Sequence, residues 1–205
     1  MQHLWFMPAV ALVGGYLLGS VPFGLLLTRW AGAGDLRAIG SGNIGATNVL
    51  RTGRKGLAAS TLLLDLVKGT AAVLIGRMLV NGGGEIAGVM AFIGHCYPVW
   101  LRFAGGKGVA TMMGVVLALY WPSGLVFALV WLGMLAALRW SSVGGMSAAV
   151  SAPVSVAAFG HIEFLPPMLA MALLVLWRHR ANIARLIKGE EPKVGSKKST
   201  SEQAG

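Results

Sequence analysis

Apolar residues run through this chain in long blocks, and each block is broken by a short island of glycine, amide, hydroxyl or basic residues. The blocks do not alternate with polar positions as the strands of a membrane barrel would, so they predict helices. At about 20 residues per crossing, helices are expected over roughly 4–28, 57–80, 85–102, 108–121, 123–140, 143–160 and 163–178. The fourth, only about 14 residues long, is short enough to be re-entrant or strongly packed rather than a full crossing. No internal repeat stands out.

Composition agrees with the pattern. The 205 residues are 56% hydrophobic and 12% charged, with mean hydropathy +0.71, whereas an ordinary soluble domain carries about 25% charged residues. The expected fold is therefore all-α: a polytopic helical membrane protein of about seven transmembrane helices. The start, MQHLWFMPAVALVGG, lacks a basic leader and stays apolar beyond fifteen residues, so it is expected to be a retained first span. Residues 1–188 form one integral-membrane domain on this reading. Residues 189–205, charged, serine-rich and poor in large apolar side chains, are expected to be a disordered tail.

Charge sets an orientation. All of the 17 Lys and Arg residues except Lys68 and Arg77 fall at one set of helix ends, and cytoplasmic loops collect basic residues. The expected topology has the N-terminus outside and the C-terminus in the cytoplasm. Trp30, Trp100, Trp140 and Trp177 at the basic ends, with Trp5 and Trp121 at the others, mark the interfaces independently. A net charge of +10 thus reflects topology; no basic stripe interleaved with aromatics suggests nucleic acid. The single cysteine, Cys96, excludes an internal disulfide, and no Cys/His cluster suggests a metal.

Three islands hold the candidate chemistry. Gly40 to Arg51, GSGNIGATNVLR, matches GxGxxG, yet it follows a membrane span instead of a strand, so a dinucleotide site is excluded. GGKG at 105–108 lacks the Ser or Thr that a Walker A loop needs after its lysine. What remains is anion chemistry. Glycines let N–H groups converge, Ser41, Asn43, Thr47 and Asn48 add side-chain donors, and Arg51 adds a planar cation. Gly106 and Lys107 stand before a helix N-terminus, which favours phosphate. His179, Asn182 and Arg185 follow the last span, expected to continue it as one helix, and Ser141 and Ser142 reach the same membrane face.

Asp65 and Lys68, spaced i,i+3 inside a span, are expected to neutralise each other, and His95 to be a hydrogen-bonded core residue. On residues alone a transporter for an organic phosphate, or a non-catalytic scaffold, stays open beside an enzyme. One-sided crowding of the polar islands favours the enzyme.

The strings GSVPFG (19–24), GSGNIGATNVLRTG (40–53), DLVKG (65–69), GHCYPVWLRFAGGKGVAT (94–111), SS (141–142) and RHRANIARLIKGEEP (178–192) resemble the bacterial acyl-phosphate:glycerol-3-phosphate acyltransferases, the integral-membrane PlsY family. The resemblance implies transfer of a fatty acyl group from acyl phosphate to the 1-hydroxyl of sn-glycerol 3-phosphate, without a cofactor. The product would be 1-acylglycerol 3-phosphate (lysophosphatidate), an early product of phospholipid biosynthesis. It also implies a bacterial inner-membrane location with a cytoplasmic site, and a soluble partner enzyme of the PlsX type that makes the acyl phosphate.

In that frame Ser41, Asn43, Thr47, Asn48, Arg51, Gly106, Lys107, Ser142 and Arg185 are expected to bind substrate, with His179 and Asn182 orienting the reacting groups. No HxxxxD dyad exists: five residues after His3, His95, His161 and His179 stand Pro8, Trp100, Pro166 and Ala184. Direct attack on the activated anhydride, with the phosphate's own oxygen taking the proton, is the expected mechanism. His179 as general base is its competitor.

Overall fold

The computed structural model describes residues 5–195, and among them there is no strand. Helices α1 (Phe6–Gly19), α2 (Phe23–Trp30), α3 (Ala46–Leu50), α4 (Lys55–Leu79), α5 (Gly83–Cys96), α6 (Val109–Leu119), α7 (Trp121–Leu138), α8 (Ser141–Ala158), α9 (Leu165–Arg178) and α10 (Arg180–Ile187) follow in order. The expected segments 57–80, 123–140 and 143–160 correspond closely to α4, α7 and α8. The polytopic helical membrane fold is as expected.

Three differences matter for the site. The segment 4–28 is two helices, because Pro22 has no N–H to give and disfavours helical backbone at Val21. The segment 85–102 stops at Cys96, before Pro98, and only a single 3-10 turn, Val99–Leu101, follows. The basic end does not prolong α9: the chain bends by 54° at His179 before α10 begins. There the His179 ring nitrogen Nδ1 lies 2.8 Å from the Val175 carbonyl oxygen, so Nδ1–H takes up a helix-terminal acceptor.

By length and composition three stretches among the described residues qualify as crossings: Phe6–Trp30 with its internal break, α4 and α7. A fourth qualifies if the bent pair Ile162–Arg178 and Arg180–Ile187 is one span. The remaining expected spans fall short for physical reasons. Helix α5 has 14 residues and α6 has 11, the latter about 16 Å long at 1.5 Å per residue. Helix α8 is long enough at 18 residues, but serine and glycine dilute its hydropathy.

Lipid supplies no hydrophobic force between helices, so close backbone packing must hold them. A Cβ built on Gly15 of α1 would lie 2.7 Å from the Ala87 Cα of α5, and one on Gly69 of α4 would lie 3.2 Å from the Thr111 carbonyl carbon of α6. Around these contacts Phe92, Met112, Val115, Phe127, Met168 and Val175 form the main core. A second cluster, Leu25, Leu36, Ile44, Val49 and Ala58, lies beneath the 40–51 loop. The apolar members of GSGNIGATNVLR thus anchor a loop whose polar members are presented outward.

Gly15→Val is expected to destabilise the protein by about 1–3 kcal/mol or more through overpacking. Gly14→Val, whose Cβ would meet nothing within 4 Å, is expected to be nearly neutral. Thermal unfolding of the two variants in detergent checks the contrast.

Candidate functional site

The three islands meet. The Thr47 hydroxyl lies 2.8 Å from that of Ser141 at the start of α8, which ties the 40–51 loop to that helix. The Lys107 ammonium donates to the Asn182 side-chain oxygen at 2.5 Å, which ties the 105–108 loop to α10. Arg178 donates to the carbonyls of Gly106 (3.0 Å) and Gly105 (2.8 Å) and lies 4.9 Å from the centre of the Tyr97 ring. Groups some 75 to 94 residues apart in sequence therefore line one site.

The 40–51 loop is shaped by two of its own predicted ligands. Asn48 is buried; its amide donates to the Leu36 and Ile39 carbonyls, both at 2.9 Å, and its oxygen accepts from the Ser41 N–H at 3.2 Å. It builds the loop instead of receiving substrate, because both of its amide hydrogens are engaged. Asn43 accepts from the Gly45 N–H at 3.0 Å, an Asx turn that starts α3. Gly40 adopts φ +56°, and a Cβ there would crowd Asn48 and Arg51. Ser41, Thr47 and Arg51 are left exposed on the loop, and the Arg51 guanidinium is close enough to act electrostatically on Lys107.

Gly106 departs from expectation in the same way. Its N–H goes to the His95 carbonyl at 3.0 Å, that of Gly105 to the Cys96 carbonyl at 3.2 Å, and both of their carbonyls go to Arg178. Neither glycine amide is free for an anion. The amides left for that purpose open α6: Gly108 caps the helix at φ +83°, and the N–H groups of the half-buried Val109 and Ala110 have no intrahelical acceptor.

Glu191 is the residue that sequence reasoning missed. Its carboxylate accepts from Ser142 at 2.6 Å, from Asn182 at 2.6 Å and from Arg185 at 2.8 Å, and its side chain is only 6% exposed. The Trp140 indole donates to its backbone carbonyl, and the Val194 N–H donates to the Arg139 carbonyl. Residues 189–195 are therefore strapped to the site, contrary to the expected disordered tail, because the donors to Glu191 and the bonds between Arg139 and Val194 in both directions hold them. Residues 196–205 lie outside the described residues. The available clue was a carboxylate pair following a run of cations that needed a counter-charge.

The electrostatics follow from burial and neighbours. Burial lowers Lys107 to about 8; Glu191 pulls against this, while Arg185, Arg51 and Arg178 add to it. Burial, then Lys107, lowers His179 to about 4. The imidazole is thus neutral near pH 7, and if its Nδ1–H is given to Val175, its Nε2 carries the lone pair. Burial alone would raise Glu191, but hydrogen bonds from Ser142, Asn182 and Arg185 hold it below the usual carboxylate range.

Residues 9–189 match the family model described as glycerol-3-phosphate acyltransferase. The glycerol-3-phosphate acyltransferase of Erythrobacter litoralis is 57% identical over 190 residues, covering 93% of this chain and 96% of that one. That of Caulobacter vibrioides is 57% identical over 197 residues, with 94% and 90% covered. The crystal structure of PlsY, an integral membrane glycerol 3-phosphate acyltransferase in its glycerol 3-phosphate form, superposes with a TM-score of 0.87 at 36% identity, covering 92% of this chain and 96% of that one. The lysophosphatidic acid form of PlsY gives 0.84 at 35%, covering 91% and 94%.

Glu191→Ala leaves Ser142, Asn182 and Arg185 without their shared acceptor. The expected cost is about 2–4 kcal/mol, with faster hydrogen exchange at the Val194 amide; both are read on the purified protein.

Proposed function

The chain belongs to the glycerol-3-phosphate acyltransferase family, and from that we propose that it moves a fatty acyl group from acyl phosphate to the 1-hydroxyl of sn-glycerol 3-phosphate, releasing 1-acylglycerol 3-phosphate and inorganic phosphate. The observation that carries the reading is the convergence of Arg51 and Lys107 around a neutral His179 and Asn182, with Arg185 held against Glu191 at the same place. Two phosphorylated substrates, each of about −1.5 to −2 charge, have to meet there without repelling one another, and Arg51 and Lys107, from two different loops, answer that need, while Arg185 is already paired with Glu191.

In the proposed step the substrate hydroxyl oxygen attacks the acyl carbonyl carbon. The bond from that carbon to the phosphate oxygen breaks, and the hydroxyl proton passes to the departing phosphate. No acyl-enzyme forms. His179 Nε2 accepts a hydrogen bond from the hydroxyl and aligns it. With a pKa near 4, the imidazole is too weak a base to hold the proton at neutrality, which supports orientation over general-base catalysis. Ser41, Thr47, Arg51 and Lys107, with the open amides of α6, take the phosphates, and catalysis comes from positioning and charge stabilisation.

An apolar groove of about 440 Å³ runs between α8 and α9, lined by Val150, Pro153, Leu165, Leu169, Leu173 and Leu176 among others. Leu176 brings it to within one helical turn of His179, and we assign the acyl chain to it. The placement of basic residues supports an N-terminus outside, a C-terminus in the cytoplasm and a site facing the cytoplasm from the bacterial inner membrane. A soluble enzyme of the PlsX type would then supply acyl phosphate from the cytoplasmic side.

Purified protein given glycerol 3-phosphate and palmitoyl phosphate should form lysophosphatidate, while palmitoyl-CoA should not replace the phosphate; product from the thioester alone would overturn the donor assignment. The KM for glycerol 3-phosphate should rise above about pH 8, since Lys107 is cationic below its pKa and neutral above it, and Lys107→Arg should flatten that rise. His179→Gln should lower kcat by about 10²–10³-fold without changing the profile between pH 5.5 and 8. Leu169→Trp should shift chain preference from palmitoyl towards shorter acyl phosphates, read as a ratio of kcat/KM values.

A further inference from the structure

Three ionisable side chains in the helical interior take no part in the step above. The Lys68 ammonium of α4 lies 2.7 Å from the Asp65 carboxylate, and the same oxygen is 3.5 Å from His95 Nδ1 of α5. All three side chains are at most 5% exposed. Lys68 also donates to the Val21 carbonyl at 2.9 Å, in the break between α1 and α2. A pair that only neutralised itself would not require a third polar group, and each such group is costly in hydrocarbon.

His95 links this cluster to the site. Its carbonyl accepts the Gly106 N–H, the neighbouring Cys96 carbonyl accepts that of Gly105, and its ring lies flush on Gly106, where a Cβ would strike Nε2. Arg178 grips the carbonyls of the same two glycines from the other side. Lys107 is the next residue. The Asp65 oxygen that faces His95 Nδ1 at 3.5 Å is the one paired with Lys68, so the ring is oriented by charge and packing between the carboxylate and the glycine backbone.

We propose that His95 is a positioning residue for Lys107: held between the Asp65–Lys68 pair and the Gly105–Gly106 backbone, it sets where the loop presents the lysine ammonium to a phosphorylated substrate. The proposal rests on Lys107 binding substrate as read above. It predicts a defect in substrate affinity that travels through Lys107, which general damage to packing would not produce.

The test is a double-mutant cycle on the full-length purified protein, with glycerol 3-phosphate varied at saturating palmitoyl phosphate. His95→Gln should raise KM for glycerol 3-phosphate by about tenfold with kcat within about threefold of the parent. In a Lys107→Arg background it should add almost nothing, since the group it acts through is already altered. Multiplicative losses in the double variant, or a fall in kcat at unchanged KM, would overturn the proposal. If His95→Gln is not recovered folded, Asp65→Asn enters the same cycle with the same two outcomes. A parent protein inactive with palmitoyl phosphate fails the donor reading itself, before any variant is compared.

Discussion

Inside hydrocarbon a backbone carbonyl released from a helix has no water to turn to, so the protein must supply its donor. This constraint governs the break at Ser20–Pro22. The Trp100 indole donates to the Ser20 carbonyl and the Lys68 ammonium to that of Val21, both at 2.9 Å. The same rule operates at the end of α6, where Arg77 donates to the Leu119 carbonyl. Trp100, Lys68 and Arg77 thus act as the repair of interrupted helices. A lysine recruited for repair needs a counter-charge, which brings Asp65 into the interior and His95 beside it.

Close helix contact is the second half of the design. Glycines bring α1 against α5 and α4 against α6 at backbone distance, and this fixes where the loops emerge. The site is built on those loops and on two helix starts, α6 and α8. Its donors are placed to within a hydrogen bond of one another by packing that lies well below them.

The long apolar blocks of α4, α7 and α8 were legible because length and composition alone define them. The break at Pro22 lay in view, but the apolar run continues across it and conceals it. Joining the islands was legible at low resolution: basic residues on one face implied convergence, whereas the pairing of Thr47 with Ser141, or Lys107 with Asn182, is tertiary. Orientation of individual side chains was not legible. Asn48 and Thr47 are adjacent donors in one polar island, yet one faces the loop's own carbonyls and the other faces out, a choice set by how Ile44 and Val49 bury themselves. Glu191 was hidden by averaging, since a tail poor in apolar residues as a whole can still hold one residue with three partners.

Glu191 has a consequence for turnover. A pocket that admits a phosphate dianion must also let one leave, and uncompensated cations at low dielectric would retain it. By engaging Arg185 and the amide of Asn182 with a carboxylate of its own, the protein sets aside part of its positive charge permanently. Arg51 and Lys107 remain for the passing substrates. The strap thus acts as a fixed counter-ion, and the affinity of the site is held at a level compatible with release.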